Sequence, residues 1–333
     1  MARGKLTLRV LAGLTAFALA GLTACGTGGG APGASGGGEK KAIGVSVADQ
    51  KSLFYVAAVQ GMQAQAEKRG YKLVVTSANN NSSQQVSQVN DLLTQQVGAL
   101  IFTSQDSTAA AAGVKAANKA QVPVIAVDQR PESGQGELAT YIATDSVKAA
   151  RELCTWMFQQ MGGSGEIAIL HGVLGSTAEI QRTQGCQEAI KATPGIKVVA
   201  EETANWDETE AFKATQNILA AHPQLKAVFG ESDAMGLGAA KAAQQANRHD
   251  GMQFVGIDGF PTMFDGVKAG LTQATMAQQP YHMGEIAVDN AIQIMEGGAA
   301  LPAEQYQDTV LINKDTVDQN DVTKFYGPNA KSS

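Results

Sequence analysis

From residue 41 the apolar positions fall into short β-branched runs, separated by longer stretches where apolar residues recur at helical spacing. The runs 42–47, 71–76, 97–103 and 122–127 read as strands. Residues 54–69, 82–95 and 109–120 read as the helices between them, the first closed by Gly70 as a C-cap. The pattern then restarts. Strands at 140–143, 166–171, 197–203, 227–231, 253–258 and 273–277 alternate with helices at 146–161, 183–192, 208–221, 235–247, 264–269 and 281–296. An apolar run without polar alternation is how a strand reads when both its faces are covered. Short βα alternation therefore predicts an α/β fold of doubly wound parallel sheets, and the restart predicts two such lobes.

In open α/β sheets, ligands bind beyond the carboxyl ends of the strands. The run 122–127 stops abruptly at Asp128, and Gln129 and Arg130 follow. Other strand ends deliver Thr103, Ser232 with Asp233, Asp258 and Gln278. Ser52, Phe54 and Tyr55 follow the first strand. The strand 166–171 leads into a loop ending at Arg182, and 197–203 leads to Asn205-Trp206-Asp207. This inventory suits a neutral polyol. Carboxylate and amide oxygens accept its O–H groups, arginine donates in a planar fork, and aromatic rings cover the C–H face of a sugar.

Each residue also has a plainer role open to it. Asp128 is a common turn residue. Trp206 precedes the Asp207/Glu210 capping box, the place of a hydrophobic staple. Arg182 can lie on a helix surface, Thr103 and Ser232 can be N-caps, and Asp233 can cap the helix at Met235. Phe54 and Tyr55 are adjacent, so one helix face cannot hold both; Phe54 is the stronger cleft candidate.

Charge and leader narrow the class. Hydrophobic residues make up 44% and charged residues 17%, as in a globular protein. Arg3, Lys5 and Arg9 precede an apolar stretch at 10–22, which reads as a signal peptide over 1–25. Leu22-Thr23-Ala24-Cys25 resembles a bacterial lipobox. That resemblance implies cleavage before Cys25 and a lipid on its sulfur, against an ordinary secretory leader with an incidental cysteine. Residues 26–40 form a Gly/Ser-rich tether. Removing the leader takes the net charge from −6 to −9, which disfavours nucleic acid. Cys154 and Cys186 remain, as one bridge or two buried thiols. There is no Walker A loop, His-Glu-x-x-His or Cys-x-x-Cys, so no enzyme, cofactor or metal is expected.

A resemblance becomes specific at several segments. These are Gly61 with Ala64-Gln65-Ala66-Glu67 and Gly70-Tyr71, Val122-Pro123-Val124-Ile125, and Arg182 three residues before Gly185. Ala221-His222-Pro223 stands ahead of Ala227-Val228-Phe229. Asp233-Ala234-Met235-Gly236-Leu237-Gly238-Ala239 and Val255-Gly256-Ile257-Asp258-Gly259 complete the set. In this order and spacing the chain resembles the ribose-binding-protein family of periplasmic sugar-binding proteins, from residue 42 to about 313. The resemblance implies a lobe of 41–143 with 279–308, a second of 144–278 with 309–333, and a hinge of three crossovers near 143–144, 278–279 and 307–308. It implies ligand contacts at Phe54, Tyr55, Thr103, Asp128, Arg182, Trp206, Ser232, Asp258 and Gln278. Gln129 stands where the family has arginine, Thr103 and Ser232 where it often has asparagine, and Ile257 where an aromatic is common. These departures point away from ribose and towards another sugar or polyol.

The implied role is a monomeric binding lipoprotein of an ABC importer. It would be anchored to the outer face of the cell membrane and would dock on permease subunits. The alternative is a sensory lipoprotein presenting a sugar-like signal to a receptor. The final residues, 322–333, lie beyond the pattern and read as a loose tail.

Overall fold

The computed structural model describes residues 42–104, 110–131 and 134–330. The leader, Cys25 and the tether lie outside these residues. In chain order the first elements are β1 (Ile43–Val47), α1 (Leu53–Arg69), β2 (Leu73–Ser77), α2 (Ser82–Thr94), β3 (Ala99–Phe102), α3 (Ala110–Lys119), β4 (Val124–Val127) and β5 (Thr140–Thr144). Next come α4 (Ser146–Gln160), β6 (Ser164–His171), α5 (Thr177–Ala192), β7 (Gly195–Thr203), α6 (Glu208–Ala221), β8 (Leu225–Gly230), α7 (Asp233–Gln245) and β9 (Gln253–Asp258). The chain ends with α8 (Pro261–Ala269), β10 (Ala274–Ala277), α9 (Pro280–Met295), β11 (Glu304–Gln307), β12 (Val310–Asn313), a 3-10 turn at Val317–Gln319 and α10 (Thr323–Tyr326).

The strands make two six-stranded sheets, ordered β2-β1-β3-β4-β5-β11 and β7-β6-β8-β9-β10-β12. All pairs are parallel except β10–β12, which is antiparallel. Both faces of each sheet are buried, as the unalternated apolar runs require. In the first sheet Ile43, Val45, Ile101, Ile125 and Ile142 pack under α1 and α9. Leu100, Phe102 and Val124 face α2 and α3 on the other side. In the second, Ile167, Phe229, Val255 and Met276 pack with α4 and α5, while Leu170, Val228 and Phe254 pack with α6 and α7. Each such side chain contributes about 1.5–3 kcal/mol on burial. Gly61 and Gly284 let α1 and α9 touch, since a Cβ on either would overlap a carbonyl of the other helix.

The chain passes between the sheets three times: from β5 into α4, from β10 into α9, and from β11 into β12. Cys154 on α4 and Cys186 on α5 form a disulfide. Among the described residues no helix is long and apolar enough to cross a membrane.

Three readings need correction. Helix α5 begins at Thr177, capped by Ser176, so Arg182 sits in its second turn and not at the end of a loop. The strand pattern also lacked two edge strands: β11, which has no apolar run, and β12, whose Val310-Leu311-Ile312 run is short. Residues 322–330 are not loose: Val322, Phe325 and Tyr326 are buried.

Candidate functional site

The carboxyl ends of both sheets line one cleft of about 710 Å³, within the usual range for a small-molecule site. Phe54, Tyr55, Asp128, Gln129, Arg182, Trp206, Ser232, Asp258 and Gln278 all line it. Thr103 does not. Its backbone N–H donates to Ser46 O, its carbonyl accepts from Gln85 Nε2, and the wall is formed by its neighbour Ser104. At a strand end, a shift of one residue reverses the side facing the cleft.

On the first lobe, Asp49 Oδ1 accepts from the N–H groups of Lys51 and Ser52 and so shapes the turn that leads into α1. Phe54 and Tyr55 both reach the cleft, edge to face at 5.5 Å. The Tyr55 hydroxyl donates to Asp128 Oδ2 at 3.1 Å. Asp128 has φ 61°, a left-handed conformation that aspartate tolerates better than most residues. Tyr141 donates to its carbonyl oxygen at 2.6 Å and fixes this turn. Gln129 Oε1 accepts from Thr177 N–H at 2.9 Å, so this side chain joins the two lips of the cleft. Arg130 turns away, pairs with Glu304 and lies 4.5 Å over the Tyr141 ring.

On the second lobe, Arg182 is 3% exposed, and its Nη1 donates to the Glu231 carbonyl at 2.5 Å. The same nitrogen lies 3.6 Å from Asp258 Oδ1, and the guanidinium sits 5.5 Å over Trp206. Among the described residues its Nε has no partner. Trp206 has φ 65°, and its ring lies against Gly172, where a Cβ would penetrate it. Asp207 caps α6 as expected, but Glu210 bonds Asn205 and does not close a capping box. Ser232 lines the cleft and also caps α7, so the two readings of it are compatible. Asp233 is not that cap: it accepts from Gly259 N–H, Phe260 N–H and Thr275 Oγ1. Gln278 Nε2 donates to Asp258 Oδ1 at 2.8 Å, while its Oε1 accepts from Thr144 at a crossover.

Burial pushes the carboxyls of Asp128 and Asp258 above the usual carboxylate range, and Arg182 acts against the rise at both. Burial likewise raises Asp233, with Asp258 adding repulsion and the Thr275 hydroxyl opposing. The cleft thus sets two acid side chains with strong acceptor oxygens beside one guanidinium fork and an indole face. It can hold vicinal hydroxyls on one side and stack a ring on the other.

Behind Arg182 lies a buried group centred on His171. His171 Nδ1 is 3.2 Å from Glu231 and 3.8 Å from Glu179, and its Nε2 is 3.0 Å from Glu201. The bond to Glu231 raises its pKa to about 9. His171, Glu179 and Glu231 have spacing that could hold a metal ion. Thr183 and the N–H groups of Gly172 and Gly175 already donate to these carboxylates, and a proton on His171 supplies the positive charge.

Known proteins resemble this chain in sequence and fold. The chain is 34% identical over 255 residues to the ribose import binding protein of Bacillus subtilis, covering 77% of this chain and 82% of that one. It is 36% identical over 233 residues to a xylitol-binding protein of Mycolicibacterium smegmatis, covering 70% and 66%. An ABC transporter solute-binding protein from Bacillus halodurans, solved with bound myo-inositol, superposes with a TM-score of 0.81 at 26% identity, covering 86% and 98%. The model of the periplasmic binding protein domain matches residues 43–299. The chain therefore belongs to the periplasmic binding protein domain family, in its ribose-binding-protein-like group of solute-binding proteins.

Proposed function

We propose that this chain is the extracytoplasmic substrate-binding lipoprotein of an ABC importer and takes a monosaccharide or polyol into its cleft without transforming it. One observation carries the reading: acceptor, donor and aromatic groups from both sheets face a single cavity, with Asp128 on one side and Arg182, Trp206 and Asp258 on the other. In this reading the lobes follow the two sheets, and the hinge consists of the three passages at β5–α4, β10–α9 and β11–β12. A ligand touching both lobes stabilises the closed form, because only differential affinity shifts such an equilibrium. Cys25 would carry the lipid that holds the protein at the membrane face.

A thermal-shift screen of pentoses, hexoses, inositols and linear polyols tests the reading. Ligand at 100 times its Kd adds about 2.7 kcal/mol of apparent stability. A panel in which no sugar or polyol raises the melting temperature would sink it.

A further inference from the structure

Beyond β12 the chain does not leave the molecule. The 3-10 turn, α10 and Ala330 pack with Phe264, Val267 and Ile312 of the second lobe and with Ala57 of α1 in the first. Helix α10 also lies against α9 of the first lobe. Gly327, with φ 82°, rests on Tyr281 of α9 so closely that a Cβ would overlap the ring. Tyr326 is 4% exposed, and its ring meets Phe260 edge to face at 5.7 Å. Its hydroxyl donates to the backbone carbonyl of Asp258 at 2.9 Å. That carbonyl also accepts from Gln278 N–H, and the carboxylate of Asp258 accepts from the Gln278 side chain. With the Asp233 N–H donating to Asp258 Oδ2, four bonds thus fix the strand end that presents Asp258 to the cleft, one of them from the tail. Tyr326 itself does not line the cleft.

We propose that residues 322–330 form a strap across both lobes, and that Tyr326 is a positioning residue holding Asp258 in its binding orientation. The tail then sets ligand affinity without touching the ligand. This rests on Asp258 being a ligand contact; the claim about backbone position does not.

The test uses the full chain with Tyr326→Phe, which keeps the ring and removes only the donor, and with Gly327→Ala, which lifts the strap from Tyr281. Hydrogen–deuterium exchange on the ligand-free protein is read at residues 258–260. Both variants should exchange faster there, with exchange in the first-lobe sheet unchanged. For a sugar found by the screen, Tyr326→Phe should weaken binding roughly five-fold, the worth of one ordinary hydrogen bond. The loss should appear as faster dissociation, at a melting temperature within a few degrees of wild type. Unchanged exchange at 258–260 in both variants overturns the proposal, whether or not any sugar binds. Faster exchange with unaltered affinity overturns the link between strap and ligand.

Discussion

The two lobes share an architecture but differ in what they bring to the cleft. The first offers the aromatic pair Phe54 and Tyr55 and Asp128, steadied by Tyr55 and Tyr141, while Gln129 is occupied in bridging the lips. The second offers Arg182, Trp206, Ser232, Asp258 and Gln278. It also braces them from behind. The Glu231 carbonyl holds Arg182, the His171 group holds Glu231, Asp233 ties β9 to α7 and β10, and a disulfide joins α4 to α5. Preorganisation of this kind removes reorganisation cost at binding. In the proposed function, the second lobe would be the receiving surface, and the first the cover that completes it.

The largest expected effect breaks that asymmetry at its centre. Arg182→Ala leaves Asp258 without its cation and should weaken sugar binding by about 3–5 kcal/mol, beyond calorimetric detection for a micromolar ligand. Asp128→Asn, on the covering lobe, should cost about 1.5–3 kcal/mol. Equal losses would erase the distinction between receiver and cover. Next, replacing both Cys154 and Cys186 with serine should cost about 3 kcal/mol. Both tryptophans, Trp156 and Trp206, belong to the second lobe, so fluorescence reports on it selectively. A lower fluorescence midpoint in denaturant, with a smaller change in far-UV circular dichroism, would show the lobes unfolding separately; coincident shifts would show one unit.

The smallest effect concerns pH. His171 has its pKa raised to about 9, above its ordinary value, so its ion pairs stabilise the fold fully below about pH 6.5 and are lost as pH rises through 9. Because Glu201, one of its partners, faces solvent and its pairing is screened, the contribution is on the order of 1 kcal/mol. The stability gap between wild type and His171→Gln should therefore shrink from pH 6.5 to 9. A gap that widens over this range would contradict the assigned ion pairs.

The parts legible in the chain were those governed by local pattern. The run ending at Asp128 reads clearly because a strand covered on both faces has no polar alternation to confuse it. The same property hides the edge strand β11, whose Glu304-Gln305-Tyr306-Gln307 is half exposed and polar. Ser176 with Glu179 is an N-terminal helix signature, and it is the one local signal that places Arg182 on α5. Thr103 against Ser104 is a matter of parity at a frayed strand end. The partners of Asp128, Trp206 and His171 depend on contacts between distant segments, such as Gly172 beneath the Trp206 ring. No spacing rule reveals those.

The threading of the chain has a consequence for synthesis. Helix α9 supplies Met283, Ala287, Val288, Ala291 and Ile292 to the core of the first lobe, yet it follows nearly all of the second. Strand β11, which closes the edge of the same sheet, comes later still. A growing polypeptide therefore emerges with one face of its earliest sheet covered by α1 alone. That face stays sticky until some 150 further residues have been added. Such late, distant closure slows folding and lengthens exposure to aggregation. The lobe begun first stays unfinished until the second is nearly complete, so a nascent chain of this design has most to gain from a holding chaperone while its midsection is being built.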